Sequence, residues 1–171
     1  NYGAQRPTQD IGIEAFEFWV PLRRPAGHNL AVTVEPRLEA FEPDNVVNGW
    51  ARPTTGPNAW VAAPDDPAPT LILEWEEPQT IRRIALSFDT DFDHPMESVL
   101  MGHPESVMPF CARRYRIVDD RGRVVATCDG NHQTRNTITL AEPLVTSSLH
   151  IELLEMNGSA PAALFEVRCY A

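Results

Sequence analysis

Apolar and polar residues alternate along most of this chain and helical periodicity is poor throughout, the pattern of short, half-buried strands. Residues 71–75 (LILEW) put Leu71, Leu73 and Trp75 on one side, and Pro78 is expected to end that strand. Residues 81–88 (IRRIALSF) turn Ile84, Leu86 and Phe88 inward. Residues 113–128 (RRYRIVDDRGRVVATC) carry the best hairpin signal, with a turn over 119–122 in which Gly122 takes a positive φ. Ile138 and Leu140 mark another strand, and residues 149–154 read as a central strand from their apolar content. Residues 164–170 (LFEVRCY) close the chain with Phe165, Val167 and Cys169 on one face. At the other end, residues 13–20 (IEAFEFWV) are apolar on both parities, and residues 31–35 form a short strand with Val32 and Val34 on one side. The sum is eight or nine strands at short spacing, an all-β sandwich or jelly roll.

The alternation stops over residues 89–110 (DTDFDHPMESVLMGHPESVMPF). A connection of this length inside a compact domain usually carries function or a contact surface. Asp89, Asp91 and Asp93 occupy alternate positions with Glu97 four beyond, the oxygen-ligand spacing of a calcium loop. The sharp-turn glycine of such a loop is here His94, however, and its final glutamate is Leu100, so a solvated strand end is favoured. Met96, Val99, Leu100, Met101, Val107, Met108 and Phe110 give the segment an apolar side. The run from Met96 to Met108 is either an interface for a partner domain or a cap folded back on the sandwich. Residues 96–101 are the one helix candidate.

Composition narrows the function. A chain of 171 residues is read as one domain over 1–171, with residues 1–38 as N-terminal strands or an extension. Its net charge of −10 argues against nucleic acid and anionic membrane surfaces, which need clustered Lys and Arg. No apolar run reaches the length of a membrane span, and Asn1–Asp10 lacks the basic and apolar regions of a signal peptide. The compartment stays open, extracytoplasmic if the chain is a processed product. The closing strand ends one residue before the terminus, which is expected to be native or tightly cut. Cys111, Cys128 and Cys169 form no C-x-x-C pair, and the hairpin is expected to set Cys128 opposite Arg113; they read as small buried hydrophobes. The spacing of His94, His103, His132 and Cys111 matches no zinc pattern. With no G-x-S-x-G elbow and no G-x-G-x-x-G, nothing supports an enzyme in this chain alone.

An ordered set of strings carries a family resemblance. It runs Asn45-Val46-Val47-Asn48-Gly49, then Trp60, then LILEW followed by PQTIRRI, then Tyr115 to Gly122, then Ala163 to Tyr170. Together, from about residue 39 to the end, the chain resembles the discoidin (coagulation factor 5/8 type C) family of galactose-binding-like jelly-roll β-sandwiches. The resemblance implies a binding module for sugars, lipids or proteins, often with a structural calcium. The positions that correspond are Asp44, Asn48 and Glu166, and the amide of Asn48 where the family has an acid puts that metal in doubt. A narrower resemblance, through residues 45–48, Arg52-Pro53, 91–104 and 108–111, is to the C-terminal module of bacterial FAD-dependent oxidoreductases.

A sugar site needs an aromatic face and a few fixed hydrogen-bonding groups. Trp50, Arg52 and Asn58 in the turn-rich segment 41–62, Asp91 and His94 in the long loop, and His132, Arg135 and Asn136 in the short polar loop supply them. In a discoidin-like sandwich these loops gather toward one end. Trp60 and Trp75 are assigned to the core, and Trp50, beside the Asn48-Gly49 turn, is the aromatic expected to be exposed. The reading is a non-catalytic module that binds carbohydrate through loops at one end. The alternative is an accessory domain of a flavin oxidoreductase that binds its parent enzyme through the Met96–Met108 loop.

Overall fold

The computed structural model describes Glu35, residues 40–90 and residues 107–171. All of these but Glu35 belong to one compact unit. The strands expected at 13–20 and 31–34, the helix candidate at 96–101, and Asp91 and His94 lie outside the described residues.

The described residues form seven strands and one 3₁₀ turn. The turn is Pro43–Val47, and the strands are β1 Trp60–Val61, β2 Thr70–Ser87, β3 Ala112–Asp119, β4 Val124–Cys128, β5 Arg135–Met156, β6 Ala163–Leu164 and β7 Glu166–Tyr170. All pairings are antiparallel. β1 and β6 make a small sheet, and the larger sheet has the order β4-β3-β5-β2-β7. The 3₁₀ turn opens on Pro43, whose missing N–H costs nothing at the start of a helix.

Two expectations about strands are corrected. Pro78 does not end a strand: residues 71–75 and 81–88 belong to the single 18-residue β2. Likewise Ile138, Leu140 and residues 149–154 all belong to the 22-residue β5. Both long strands keep going because each carries its proline in a bulge. Pairing skips from Glu74 to Gln79 on β2, leaving Pro78 without a ladder partner, and from Thr139 to Leu144 on β5, leaving Pro143 without one. A residue with no N–H cannot sit in a regular ladder, but a bulge leaves it unpaired and bends the strand.

These bends convert one ribbon into two layers. The first half of β2 and the second half of β5 pair with each other and, through β5, with β3 and β4. The second half of β2 and the first half of β5 pair with each other and, through β2, with β7. The inward rows of the two layers meet in one core. Ile84, Leu86 and Phe88 face Tyr115, Ile117, Leu149 and Ile151, all nearly inaccessible. Phe88 and Tyr115 close it with ring centroids 5.2 Å apart, a distance favourable for aromatic pairs. Trp60 is in this core, and Trp75 packs half-buried against it.

The β3–β4 hairpin forms as expected, with Gly122 at φ +75° and its N–H donating to Asp119 O at 3.0 Å. Its register differs from the expectation: Cys128 lies opposite Tyr115, not Arg113. A bulge at Val125 shifts the pairing between Ile117 and Val118. Among the cysteines, Cys111 is buried while Cys128 and Cys169 are half-buried, and all are free thiols. Burial pushes the thiols of Cys111 and Cys169 each up to about 11.

Candidate ligand-binding site

The register fixes which loops share an end of the sandwich. Ser87, the last residue of β2, pairs with Arg135, the first of β5, and with Glu166, the first of β7. Loop 129–134 and the chain leaving β2 therefore start side by side. They are joined by Phe88 N–H donating to Thr134 O at 2.7 Å and by the Thr90 and Thr134 hydroxyls at 2.5 Å. The early loop reaches the same end. Its 3₁₀ turn packs on β7, and Trp60 pairs with Leu164 two residues before Glu166.

Three asparagines hold the early loop. Asn45 Nδ2 donates to Ala40 O and Ala59 O at 3.0 and 2.9 Å, spanning the loop at its base. Asn48 Oδ1 accepts from Trp50 N–H at 2.8 Å, and Gly49 between them has φ +90°, the turn that the Asn-Gly pair predicts. Asn58, itself at φ +50°, accepts from Asn48 Nδ2 and donates to Arg52 O and Thr54 Oγ1. The backbone on both sides of Trp50 is thus fixed, while its indole is 53% exposed. Arg52 is exposed beside it.

The second loop hangs on a residue that the sequence pattern did not single out. Asn131 is buried; its amide donates to Ala112 O at 2.8 Å and accepts from Gln133 N and from Asn136 Nδ2. Its backbone N–H donates to Arg113 O, and its carbonyl accepts from Asn157 Nδ2. The signal was the Asp129-Gly130-Asn131 turn, with Gly130 at φ +73°. His132 stands exposed on this hub. The Gln133 side-chain nitrogen lies 2.9 Å from Nε2 and Gly130 O lies 3.2 Å from Nδ1, contacts that the tautomer protonated on Nδ1 satisfies together. Asn136 has both amide atoms engaged inward, with Asn131 and with the Cys128 thiol. Arg135 projects the other way, onto the outer face of the sheet, where it lines a separate groove.

The positions suggested for calcium do not make an oxygen cage as they stand. Asp44 is exposed in the 3₁₀ turn, Asn48 Oδ1 is taken by the Trp50 amide, and buried Glu166 is paired with Arg168. Among the described residues no three His, Cys, Asp or Glu side chains gather for a metal. Calcium takes six to eight oxygens, so these three side chains alone would not complete its shell.

A larger groove, about 520 Å³, lies elsewhere, where β2 begins and β5 ends. Its walls are mainly Ala, Pro and Leu, with the Arg116–Glu152 ion pair neutralised at its edge. It has no aromatic platform for a sugar ring, so size alone does not make it the better site.

No protein-family model matches the sequence, and no curated protein matches it. Solved structures do resemble it in fold. The family 32 carbohydrate-binding module of Streptococcus pneumoniae EndoD superposes with a TM-score of 0.59 at 15% identity, over 81% of this chain and 90% of that one. Chitosan-binding module 2 of a Paenibacillus sp. IK-5 chitosanase/glucanase, solved with chitotriose, gives 0.55 at 17% identity, over 78% and 89%. The family 32 module of Clostridium perfringens NanJ, solved with galactose, gives 0.54 at 16% identity, over 78% and 88%. The described residues thus have the fold of a galactose-binding-like jelly-roll β-sandwich.

Proposed function

We propose that this chain is a non-catalytic carbohydrate-binding module that takes a sugar at the loop end of the sandwich. The observation that carries the reading is Trp50, an exposed indole on a loop whose backbone three asparagines hold fixed. A preorganised aromatic face can cover the C–H surface of a sugar ring with little ordering cost. Arg52 supplies donors for hydroxyls, His132, whose ring nitrogens already bond Gln133 and Gly130, offers its ring face, and Asn58 and Asn136 hold the two loops from behind. Asp91 and His94 belong to the same proposed site through the long loop that leaves β2. Support comes also from the fold neighbours solved with galactose and with chitotriose.

The test is thermal unfolding and calorimetry against galactose, fucose, chitotriose and longer oligosaccharides. A sugar at a hundredfold excess over its Kd adds about 2.7 kcal/mol to stability. Trp50→Ala removes that gain while moving the ligand-free stability by no more than about 0.5 kcal/mol, because the indole is exposed. A sugar response kept in Trp50→Ala refutes the site, and no response to any sugar refutes the function. The second reading, a parent flavin enzyme bound through Met96–Met108, rests on sequence resemblance alone. Met108 itself is buried in the core.

A further inference from the structure

Arginines from three different strands meet on the outer face of the β5–β2–β7 layer. Alternation brings Arg83 and Ala85 of β2 beside Arg135 and Thr137 of β5 and Arg168 and Tyr170 of β7. They line a groove of about 180 Å³, whose short residues, Ala85 and Thr137, leave space between the long side chains. One acid joins them: Glu166, buried at the groove's end, accepts from Arg168 Nε and Nη2 at 2.7 and 2.5 Å. That pair is neutral, and it fixes the Arg168 guanidinium in place. Arg83 lies over the Tyr170 ring at 4.1 Å, which orients the cation without neutralising it. Arg135 is exposed and has no side-chain partner among the described residues.

The groove therefore holds three guanidiniums against one carboxylate, in a chain whose net charge is −10. Like charges held on neighbouring strands repel each other, and nothing in the packing of this exposed face requires them. The geometry points to an oxyanion site, with Arg135 and Arg83 holding a carboxylate, sulfate ester or phosphate group and Arg168 as a third, prefixed donor. Planar guanidinium forks match the paired oxygens of such groups better than any other side chain. The volume admits one such group and part of whatever carries it. This site is formed by a sheet face and not by the Trp50 loop, so it does not depend on the carbohydrate reading.

The experiment is calorimetry on the full chain at about 20 mM salt, where exposed charges are weakly screened. The probes are a heparin hexasaccharide, hexagalacturonate, inorganic phosphate and the neutral maltohexaose. Arg135→Glu is the informative variant, since Arg135 has no internal partner to lose. Arg121→Glu, at the far hairpin turn, makes the same change in net charge and serves as the control. At least one anionic probe is expected to bind, about tenfold or more weaker to Arg135→Glu and less than about threefold weaker to Arg121→Glu. Arg135-dependent binding of an anionic oligosaccharide supports the site and assigns it to an acidic glycan. Arg135-dependent binding of phosphate alone supports it and assigns it to a free anion. The proposal is overturned if no anionic probe binds, or if the two variants weaken binding equally. Maltohexaose binding unaffected by Arg135→Glu would separate this site from the loop site.

Discussion

Asp119 is a carboxylate with almost no access to water, yet it has four donors. Oδ1 accepts from the N–H groups of Arg121 and Arg123 at 3.0 and 2.8 Å, and Oδ2 from Arg123 Nε and Nη2, both at 2.8 Å. Burial alone would push its pKa up; the donors from Arg123 and Arg121 outweigh that and hold it below the usual carboxylate range. Because the folded value is depressed, the stability it contributes is present above the unfolded value of about 3.9 and is lost as pH falls through the folded one. Asp119→Asn should cost about 2 kcal/mol at pH 7. In urea melts at pH 7 and pH 3, the gap to the parent chain should narrow at the lower pH. An equal gap at both would mean that the charge contributes nothing. The sequence marked this turn and its glycine but not the role of Asp119, since an acid in a DDRG turn looks like surface. Trp50 and Trp60 were separable because one sits beside Asn-Gly and the other opens an apolar run. Asn131 was not: the Asp129-Gly130 turn marked its loop, but nothing in a polar stretch marks which asparagine is buried.

Between elements, a close approach among the described residues is where the chain returns from the long loop. Asn157 donates from its backbone and side chain to Cys111 O at 3.0 and 3.1 Å. Next to it, a Cβ added to Gly158 would lie 2.4 Å from Pro109 Cβ and 2.9 Å from its Cα. Gly122 is the opposite case, with φ +75° and open space around it. Gly122→Ala should cost roughly 1–2 kcal/mol of backbone strain and leave its surroundings unmoved. Gly158→Ala must push the 109–111 turn away from the β5–β6 loop, and a typical overpacking cost is about 1–3 kcal/mol. Amide exchange around Cys111 and Asn131 separates the two: it should quicken in Gly158→Ala and stay as in the parent chain in Gly122→Ala. If both variants leave it unchanged, the close contact is not structural. At this scale alternation revealed which residues form strands and which way they face. It failed at Pro78, because a sequence does not tell a proline that ends a strand from one that sits in its bulge, and it split β5 into two strands on either side of the bulge that holds Pro143. The bulge at Val125, which no residue type announces, accounts for one of the two positions by which Cys128 was misplaced, and the turn, which pairs Val118 with Val124, for the other.

Across the whole molecule, the all-β class and the jelly-roll layers were legible because both follow from alternation and turn chemistry repeated along the chain. The Arg83–Arg135–Arg168 groove was not. Its members are far apart in sequence and meet only once β2 has paired with both β5 and β7. Calcium is tested at the same scale. Asn48 and Glu166 already have partners, so adding calcium or EDTA should leave the unfolding midpoint where it is. A midpoint that rises with calcium in a Glu166-dependent way would show that the ion displaces Arg168.

The two long strands also govern how the chain finds its structure. The β3–β4 hairpin closes over a four-residue turn and can form within microseconds. The β2–β5 pairing joins residues roughly fifty to eighty positions apart, and each layer needs half of it. A chain whose central ladder is this non-local faces a large entropic barrier and refolds in milliseconds to seconds. Substitutions at Ile84 or Ile151, on the facing central strands, should slow refolding in stopped-flow experiments. Substitutions at Val124, on the hairpin edge, should leave that rate nearly unchanged.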